Sequence, residues 1–316
     1  MNRKLISIVV PMYYEEKVAE ECYKRLKSVM DGCGYEYELV FVNDGSRDGT
    51  PDILERIAVN DRNVKVLGFS RNFGHQVAVT AGIDKARGNA IIIIDADLQD
   101  PPELIPEMLK LWEQGYEVVY AKRKRRKGES LFKRTTARIF YIVLDKLSDT
   151  RIPLDTGDFR LIDAKVADEL RRMREKNRFL RGMVSWIGFK QTPIEYEREE
   201  RFAGETKYPL KKMVKLALDG IISFSSKPLK LSQYLGFFAV VCAMVIFIYS
   251  LVYRLVGGKN LVTGWASIMT TVAFLGGVQL ISIGILGEYI GRMYEESKGR
   301  PLYIIEKEIN FDDEEQ

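Results

Sequence analysis

The stretch Ile91-Ile92-Ile93-Ile94-Asp95-Ala96-Asp97-Leu98-Gln99-Asp100 decides how this chain folds. Four consecutive isoleucines make a strand that is apolar on both faces, as in the middle of a parallel sheet covered by helices. Nothing in such a strand calls for carboxylates at its end. In open α/β sheets ligands collect beyond the carboxyl ends of the strands, and Asp95 and Asp97 stand there with same-side geometry. Paired carboxylates of this kind hold Mg²⁺ or Mn²⁺ together with the phosphates of a substrate. The competing reading is a pair of strand-end aspartates capping the helix that Pro101-Pro102 opens. Spacing alone leaves both readings open, and the rest of the N-terminal half favours the metal.

Strand and helix patterns alternate on both sides of this stretch. Residues 5–10, 39–42, 64–69 and 118–120 read as strands, and 16–30, 51–57, 76–86 and 102–112 carry helical spacing. The alternation predicts an α/β fold with a doubly wound, mostly parallel sheet. Residues 159–162 and 193–196 read as strands completing the same head. Four polar clusters then fall at one edge of the sheet: Pro11-Met12-Tyr13-Tyr14-Glu15, Asn43-Asp44-Gly45-Ser46, Ser70-Arg71-Asn72-Phe73-Gly74 and Asp95-Ala96-Asp97. A planar base can stack on Tyr13 while Asp44 accepts its ring N–H, with a metal at Asp97 binding a diphosphate. The glycine-rich dinucleotide fingerprint and the P-loop are both missing from the sequence, which argues against a dehydrogenase or an NTPase.

At 316 residues the chain has room for one globular domain of about 200 residues plus an appendage. The appendage is apolar. Residues 234–253 and 265–287 carry no charge, and each run is long enough to cross a bilayer core of about 30 Å. Tyr234, Tyr249, Tyr253, Trp265 and Tyr289 stand near the ends as an aromatic belt would, and Gly276, Gly277, Gly284 and Gly287 allow close helix packing. A buried hairpin in a soluble protein is the alternative. No secretory signal is read at Met1-Asn2-Arg3-Lys4. Lys227 and Lys230 before the first run, and Arg292, Lys298 and Arg300 after the second, put both flanks in the cytosol. The loop with Arg254 and Lys259 weakens that bias.

The net charge of +4 is unevenly spread: between Lys122 and Arg138 nine Lys or Arg face the single Glu129. Two helices with one basic face are expected, at 130–148 and 209–224, lying in the membrane interface or forming ordinary surface of the head. Arg134 and Arg138, one turn apart, could grip a phosphate bidentately, with Arg201 and Lys207 closing from the other side. Cys22, Cys33 and Cys242 form neither a disulfide framework nor a metal cluster. The one histidine, His75, reads as a loop residue, which argues against histidine-based catalysis.

The chain resembles glycosyltransferase family 2, and within it the polyisoprenyl-phosphate glycosyltransferases related to dolichol-phosphate mannose synthase. The resemblance runs from about Leu5 to Gly291. It is carried by Asp95-Ala96-Asp97-Leu98-Gln99, Leu154-Asp155-Thr156-Gly157-Asp158-Phe159-Arg160-Leu161 and Arg201-Phe202-Ala203-Gly204-Glu205-Thr206-Lys207-Tyr208. The last two motifs, with the paired apolar runs, look most like the bacterial branch that glucosylates undecaprenyl phosphate. Tyr14 departs from the pattern, since such proteins commonly have Asn there. The Gln-x-x-Arg-Trp motif of processive synthases is missing, which favours transfer of a single sugar.

The resemblance implies a GT-A fold and an inverting, metal-dependent transfer from UDP-glucose to a polyisoprenyl phosphate. GDP-mannose or a UDP-linked amino sugar are alternative donors, and a non-catalytic membrane scaffold is the alternative of another class. It also implies that Pro11, Tyr13, Glu15 and Asp44 hold the nucleoside. Asp95, Ala96 and Asp97 would meet the diphosphate, with Mg²⁺ or Mn²⁺ on Asp95 and Asp97 and with Gln99 nearby. Asp158 would face the donor sugar. The expected organisation is a cytosolic catalytic head over residues 1–228, two transmembrane helices over 229–292 and a cytosolic tail over 293–316. The protein is then a multi-pass protein of the inner membrane, with no nucleic-acid partner and with self-association through the membrane helices.

Overall fold

The computed structural model describes residues 4–124, 153, 156–197, 227–255 and 264–311. β1 (Leu5–Met12), β2 (Glu36–Asn43), β3 (Val64–Phe69) and β4 (Ala90–Ile93) form the middle of an eight-stranded sheet. β1 pairs in parallel with β2 on one side and with β4 on the other, and β2 pairs in parallel with β3. The isoleucine run is buried throughout, as its composition requires. One face packs Ile8, Phe41 and Ile92 against α1 (Ala19–Asp31) and α2 (Thr50–Asn60). The other face takes α3 (His75–Lys85), whose Gly82 lies so close to β1 that a Cβ there would stand 2.2 Å from Val9 Cγ1. A 3-10 turn at Pro102–Leu104 leads into α4 (Ile105–Glu113) on the first face.

The remaining strands are β5 (Val118–Arg123), β6 (Thr156–Asp163), β7 (Gln191–Tyr196) and β8 (Ile305–Ile309), and the order across the sheet is β7-β5-β6-β4-β1-β2-β3-β8. Four pairings are parallel and three antiparallel, so the sheet is mixed and parallel chiefly in its middle. The direction of β6 matters most. It runs antiparallel to β4 with Arg160 opposite Ile93, so it starts where β4 ends. Its first residues, Thr156 to Asp158, therefore arrive at the carboxyl edge where β1, β2 and β4 finish. α5 (Ala164–Arg172) and α6 (Leu180–Ile187) follow it. Asp163 caps α5 by accepting from the Lys165 N–H at 2.9 Å, and Gly188 ends α6 in the left-handed conformation.

Within 293–316, expected to be a cytosolic tail, residues 305–309 form a strand of the sheet. β8 pairs antiparallel with the outer edge of β3. Asn310 follows with its side-chain amide on the carbonyls of Ala58 and Val64 at 2.6 and 2.8 Å. Tyr303 stacks on Phe69, with centroids 5.3 Å apart. An exposed edge strand is an open template for pairing with another chain, and here the polypeptide covers its own.

The apolar helices form a unit separate from this head. α7 (Lys227–Leu255) and α8 (Trp265–Ser297) pack on each other. Their windows Ser232–Tyr249 and Thr270–Ser297 have mean hydropathies of 1.9 and 1.7, and almost no residue in them is buried by the protein. Both are long and apolar enough to cross a membrane. α8 runs past the uncharged stretch to include Glu288 and Arg292. The interface helices expected at 130–148 and 209–224, and with them Arg134, Arg138, Arg201 and Lys207, lie outside the described residues.

Candidate active site

Chain order turns back beside β1: β2 and β3 extend on one side and β4 lies on the other. The crevice between the ends of β1 and β4 is where an open α/β sheet takes its ligand. Tyr13 stands on one bank and Asp95 on the other.

On the β1 bank, Pro11 is buried in register with Val42. Tyr13 and Tyr14 are 40% and 43% exposed, with ring centroids 4.6 Å apart and planes at 89°. Glu15 donates its N–H to Thr50 Oγ1 at 2.9 Å, and its carbonyl accepts from Val18 and Ala19 at the start of α1. Asp44, 2% exposed, is the buried tie of this side. Its Oδ1 accepts from the Phe73 N–H at 2.6 Å, and its Oδ2 from the Gly74 N–H at 2.9 Å and from Asn72 Nδ2 at 2.8 Å. A carboxylate offers about four acceptor directions, so at most one remains for a base N–H. Burial pushes the Asp44 carboxyl up, and the two backbone N–H groups pull against that shift. Gly45 is required beside it: its φ is +67°, and a Cβ there would meet the Arg71 carbonyl carbon at 2.4 Å.

On the β4 bank, Ala96 is buried between the two aspartates. Asp97 accepts the Gln99 N–H at 3.1 Å, across Leu98 with φ +56°. Asp97 thus folds its own turn. The helix-capping alternative finds no support at the helix starts, where Pro101 and Leu104 give no side-chain cap. Asp95 Oδ1 is buried and receives no hydrogen bond from the described residues; His75 Nε2 lies 3.6 Å from it. Burial and neighbouring carboxylates raise the Asp95 carboxyl to about 6, with His75 opposing. An orphaned, buried carboxylate oxygen beside a second aspartate suits a hard cation. Among the described residues no three His, Cys, Asp or Glu side chains converge to cage an ion.

Asp158 arrives from β6 and, like Asp44, has three tethers. Its Oδ1 accepts from Arg181 Nε at 2.7 Å, and its Oδ2 lies 3.1 Å from His75 Nε2 and 3.3 Å from Gln76 Nε2. Gln76 Oε1 in turn accepts the Leu180 N–H at 3.0 Å, joining α3 to the start of α6. Burial alone would raise the Asp158 carboxyl, but Arg181 and His75 hold it well below the usual carboxylate range. Burial depresses His75, and Asp95 and Asp158 more than reverse this, lifting it to about 9. The reading of His75 as a loop residue is therefore corrected: it opens α3 and stands between Asp95 and Asp158. Gln76 and Arg181 were missed with it, since each reaches Asp158 only through tertiary structure.

The arrangement sets an aromatic corner on one bank of the crevice and a carboxylate turn on the other. Residues 7–171 match the family described as glycosyl transferase family 2, just over half of the chain. The chain belongs to glycosyltransferase family 2. Residues 227–293 match a second family, the GtrB C-terminal hairpin. The glycosyltransferase YkcC of Bacillus subtilis is 55% identical over 306 residues, 97% of this chain and 94% of that one. A prophage bactoprenol glucosyl transferase homolog of Escherichia coli is 45% identical over 304 residues, 96% of this chain and 98% of that one. The bactoprenol glucosyl transferase of Shigella phage SfV is 44% identical over 303 residues, again 96% and 98%. This family 2 glycosyltransferase thus shares with these relatives both the head and the helical hairpin.

Proposed function

We propose that this glycosyltransferase moves one glucosyl unit, with inversion, from UDP-glucose to a polyisoprenyl phosphate at a membrane surface. The observation that carries the reading is the end-to-end similarity to bactoprenol glucosyl transferases, which runs through the catalytic head and the apolar hairpin alike. A soluble acceptor would give the hairpin no purpose. A lipid phosphate must be met at the bilayer, and the hairpin keeps the head there.

In this reading Tyr13 stacks the base, while Asp95 and Asp97 meet the diphosphate together with Mg²⁺ or Mn²⁺. The bound ion would neutralise the charge that gathers on the departing nucleoside diphosphate. The acceptor phosphate is already anionic at neutral pH and is its own nucleophile, so no side chain needs to take a proton from it. Asp158, held below the usual carboxylate range and tied by Arg181, His75 and Gln76, then orients the donor sugar instead of acting as a base. Arg134, Arg138, Arg201 and Lys207 are assigned to the acceptor phosphate.

The chain leaves the head for the hairpin and rejoins it at β8. This supports two crossings that begin and end on the cytosolic side, with the head.

The test is transfer of radiolabel by the purified full-length protein to undecaprenyl phosphate, using UDP-glucose, GDP-mannose and UDP-N-acetylglucosamine in parallel. Labelled lipid from UDP-glucose alone is the expected result. Labelling only from another donor would overturn the choice of glucose, and labelled water-soluble product with no labelled lipid would overturn the acceptor.

A further inference from the structure

Tyr14 sits at φ +55°, in the left-handed region, which a bulky side chain seldom enters without cause. The turn that holds it there is fastened to the neighbouring loop at successive points. The Tyr14 N–H donates to Ser46 Oγ at 3.0 Å and the Glu15 N–H to Thr50 Oγ1 at 2.9 Å, while the Ser46 N–H donates within its own loop to Asn43 Oδ1 at 3.1 Å. Ser46 and Thr50 are buried, so these anchors do not drift. The backbone would adopt the same turn more easily with Gly or Asn. Tyr14 is 43% exposed and is not a member of the buried core cluster. What the strained turn does achieve is an edge-to-face contact with Tyr13, at 4.6 Å between centroids and 89° between planes. That is a favoured aromatic geometry, and it limits the rotation of an exposed ring at the mouth of the crevice.

We propose that Tyr14 is a positioning residue for the nucleobase: it accepts a strained backbone so that its ring fixes Tyr13 in the orientation on which the base stacks. The proposal rests on the functional reading above, in which Tyr13 meets the base. Restricting the Tyr13 ring before the base arrives lowers the ordering cost of binding. The effect is confined to the base and does not reach the diphosphate.

The experiment is calorimetric titration of the full-length protein in detergent with UDP and, separately, with inorganic pyrophosphate. It uses wild type, Tyr14→Phe, Tyr14→Ala and Tyr14→Gly, each also followed by thermal melting. Tyr14→Ala and Tyr14→Gly should both weaken UDP about 3- to 10-fold, the size of one aromatic pair contact, and leave pyrophosphate unchanged. Tyr14→Phe should bind UDP like wild type. Tyr14→Gly should melt above Tyr14→Ala by about 2–4 °C, the reverse of the usual order, because only alanine carries the left-handed penalty. UDP binding unaltered in Tyr14→Ala and Tyr14→Gly, or equal losses for UDP and pyrophosphate, would overturn the positioning role. Tyr14→Ala melting above Tyr14→Gly would overturn the strain. Wild type that binds pyrophosphate but no UDP would overturn the nucleotide-sugar reading itself, and this inference with it.

Discussion

Replacing Asp44 by Asn tests how the β1 bank of the site is built. The asparagine has the shape of the aspartate but only one acceptor oxygen. Asp44 now serves three donors, Phe73 N–H, Gly74 N–H and Asn72 Nδ2, at 2.6, 2.9 and 2.8 Å. The better orientation keeps the oxygen on Gly74 and Asn72 and turns an amide N–H₂ toward the Phe73 N–H. One bond to a charged acceptor is then lost, worth about 1.5–3 kcal/mol, and two others fall to neutral strength. Against this, burial raises the Asp44 carboxyl, so keeping it ionised costs something that the neutral residue avoids. The net loss is about 2 kcal/mol, or roughly 30-fold in the opening of the β3–α3 loop. Hydrogen exchange of the full-length protein in detergent reads this directly. The Phe73 and Gly74 amides should exchange about 30-fold faster in Asp44→Asn, while amides of β1 and β4 keep their protection. Unchanged exchange at Phe73 and Gly74 would refute the account of Asp44 as the tie between the two loops.

Two further changes probe the other bank and the frame. Arg181→Ala removes the 2.7 Å partner of Asp158 and should lower kcat/KM for transfer about 10- to 100-fold, as for a charge-assisted bond; Arg181→Lys should recover part of the loss, and full activity in Arg181→Ala would contradict the role. Gly82→Ala sets a methyl 2.2 Å from Val9 Cγ1 and should destabilise the head by about 1–3 kcal/mol, seen as a lower melting temperature. Val9→Ala in the same chain should restore much of it.

The middle of the sheet was legible because its chemistry is local. Residues 91–94 are isoleucine with carboxylates directly after, and both the burial and the strand-end position of Asp95 and Asp97 follow from that. The mixed sheet was less legible, since strand–helix alternation speaks for parallel pairing and carries no signal that β6 reverses. That reversal brings Asp158 to the edge, and the helices on either side then supply His75, Gln76 and Arg181. These are polar residues with no periodic pattern, and only the distance between α3 and α6 makes them a group. β8 escaped for another reason: Ile305-Glu306-Lys307-Glu308-Ile309 is short and charged in its centre, which is what an edge strand needs and also what a solvated tail looks like. Tyr14 could be seen as a departure from its family's pattern, but its left-handed backbone and its contact with Tyr13 exist only in three dimensions.

The central claim is metal-assisted transfer of a single sugar to a lipid phosphate, centred on Asp95 and Asp97. It is tested most directly by mass spectrometry of the lipid itself. Purified protein in vesicles containing undecaprenyl phosphate is supplied with UDP-glucose and Mg²⁺, and the lipid is extracted over time. The account expects the lipid to gain one hexose and no second. The rate should fall at least about 100-fold in Asp97→Ala, as for loss of a main electrostatic stabiliser, and the product should vanish in EDTA. Lipid glucosylated at the wild-type rate by Asp97→Ala, or in EDTA, would contradict it.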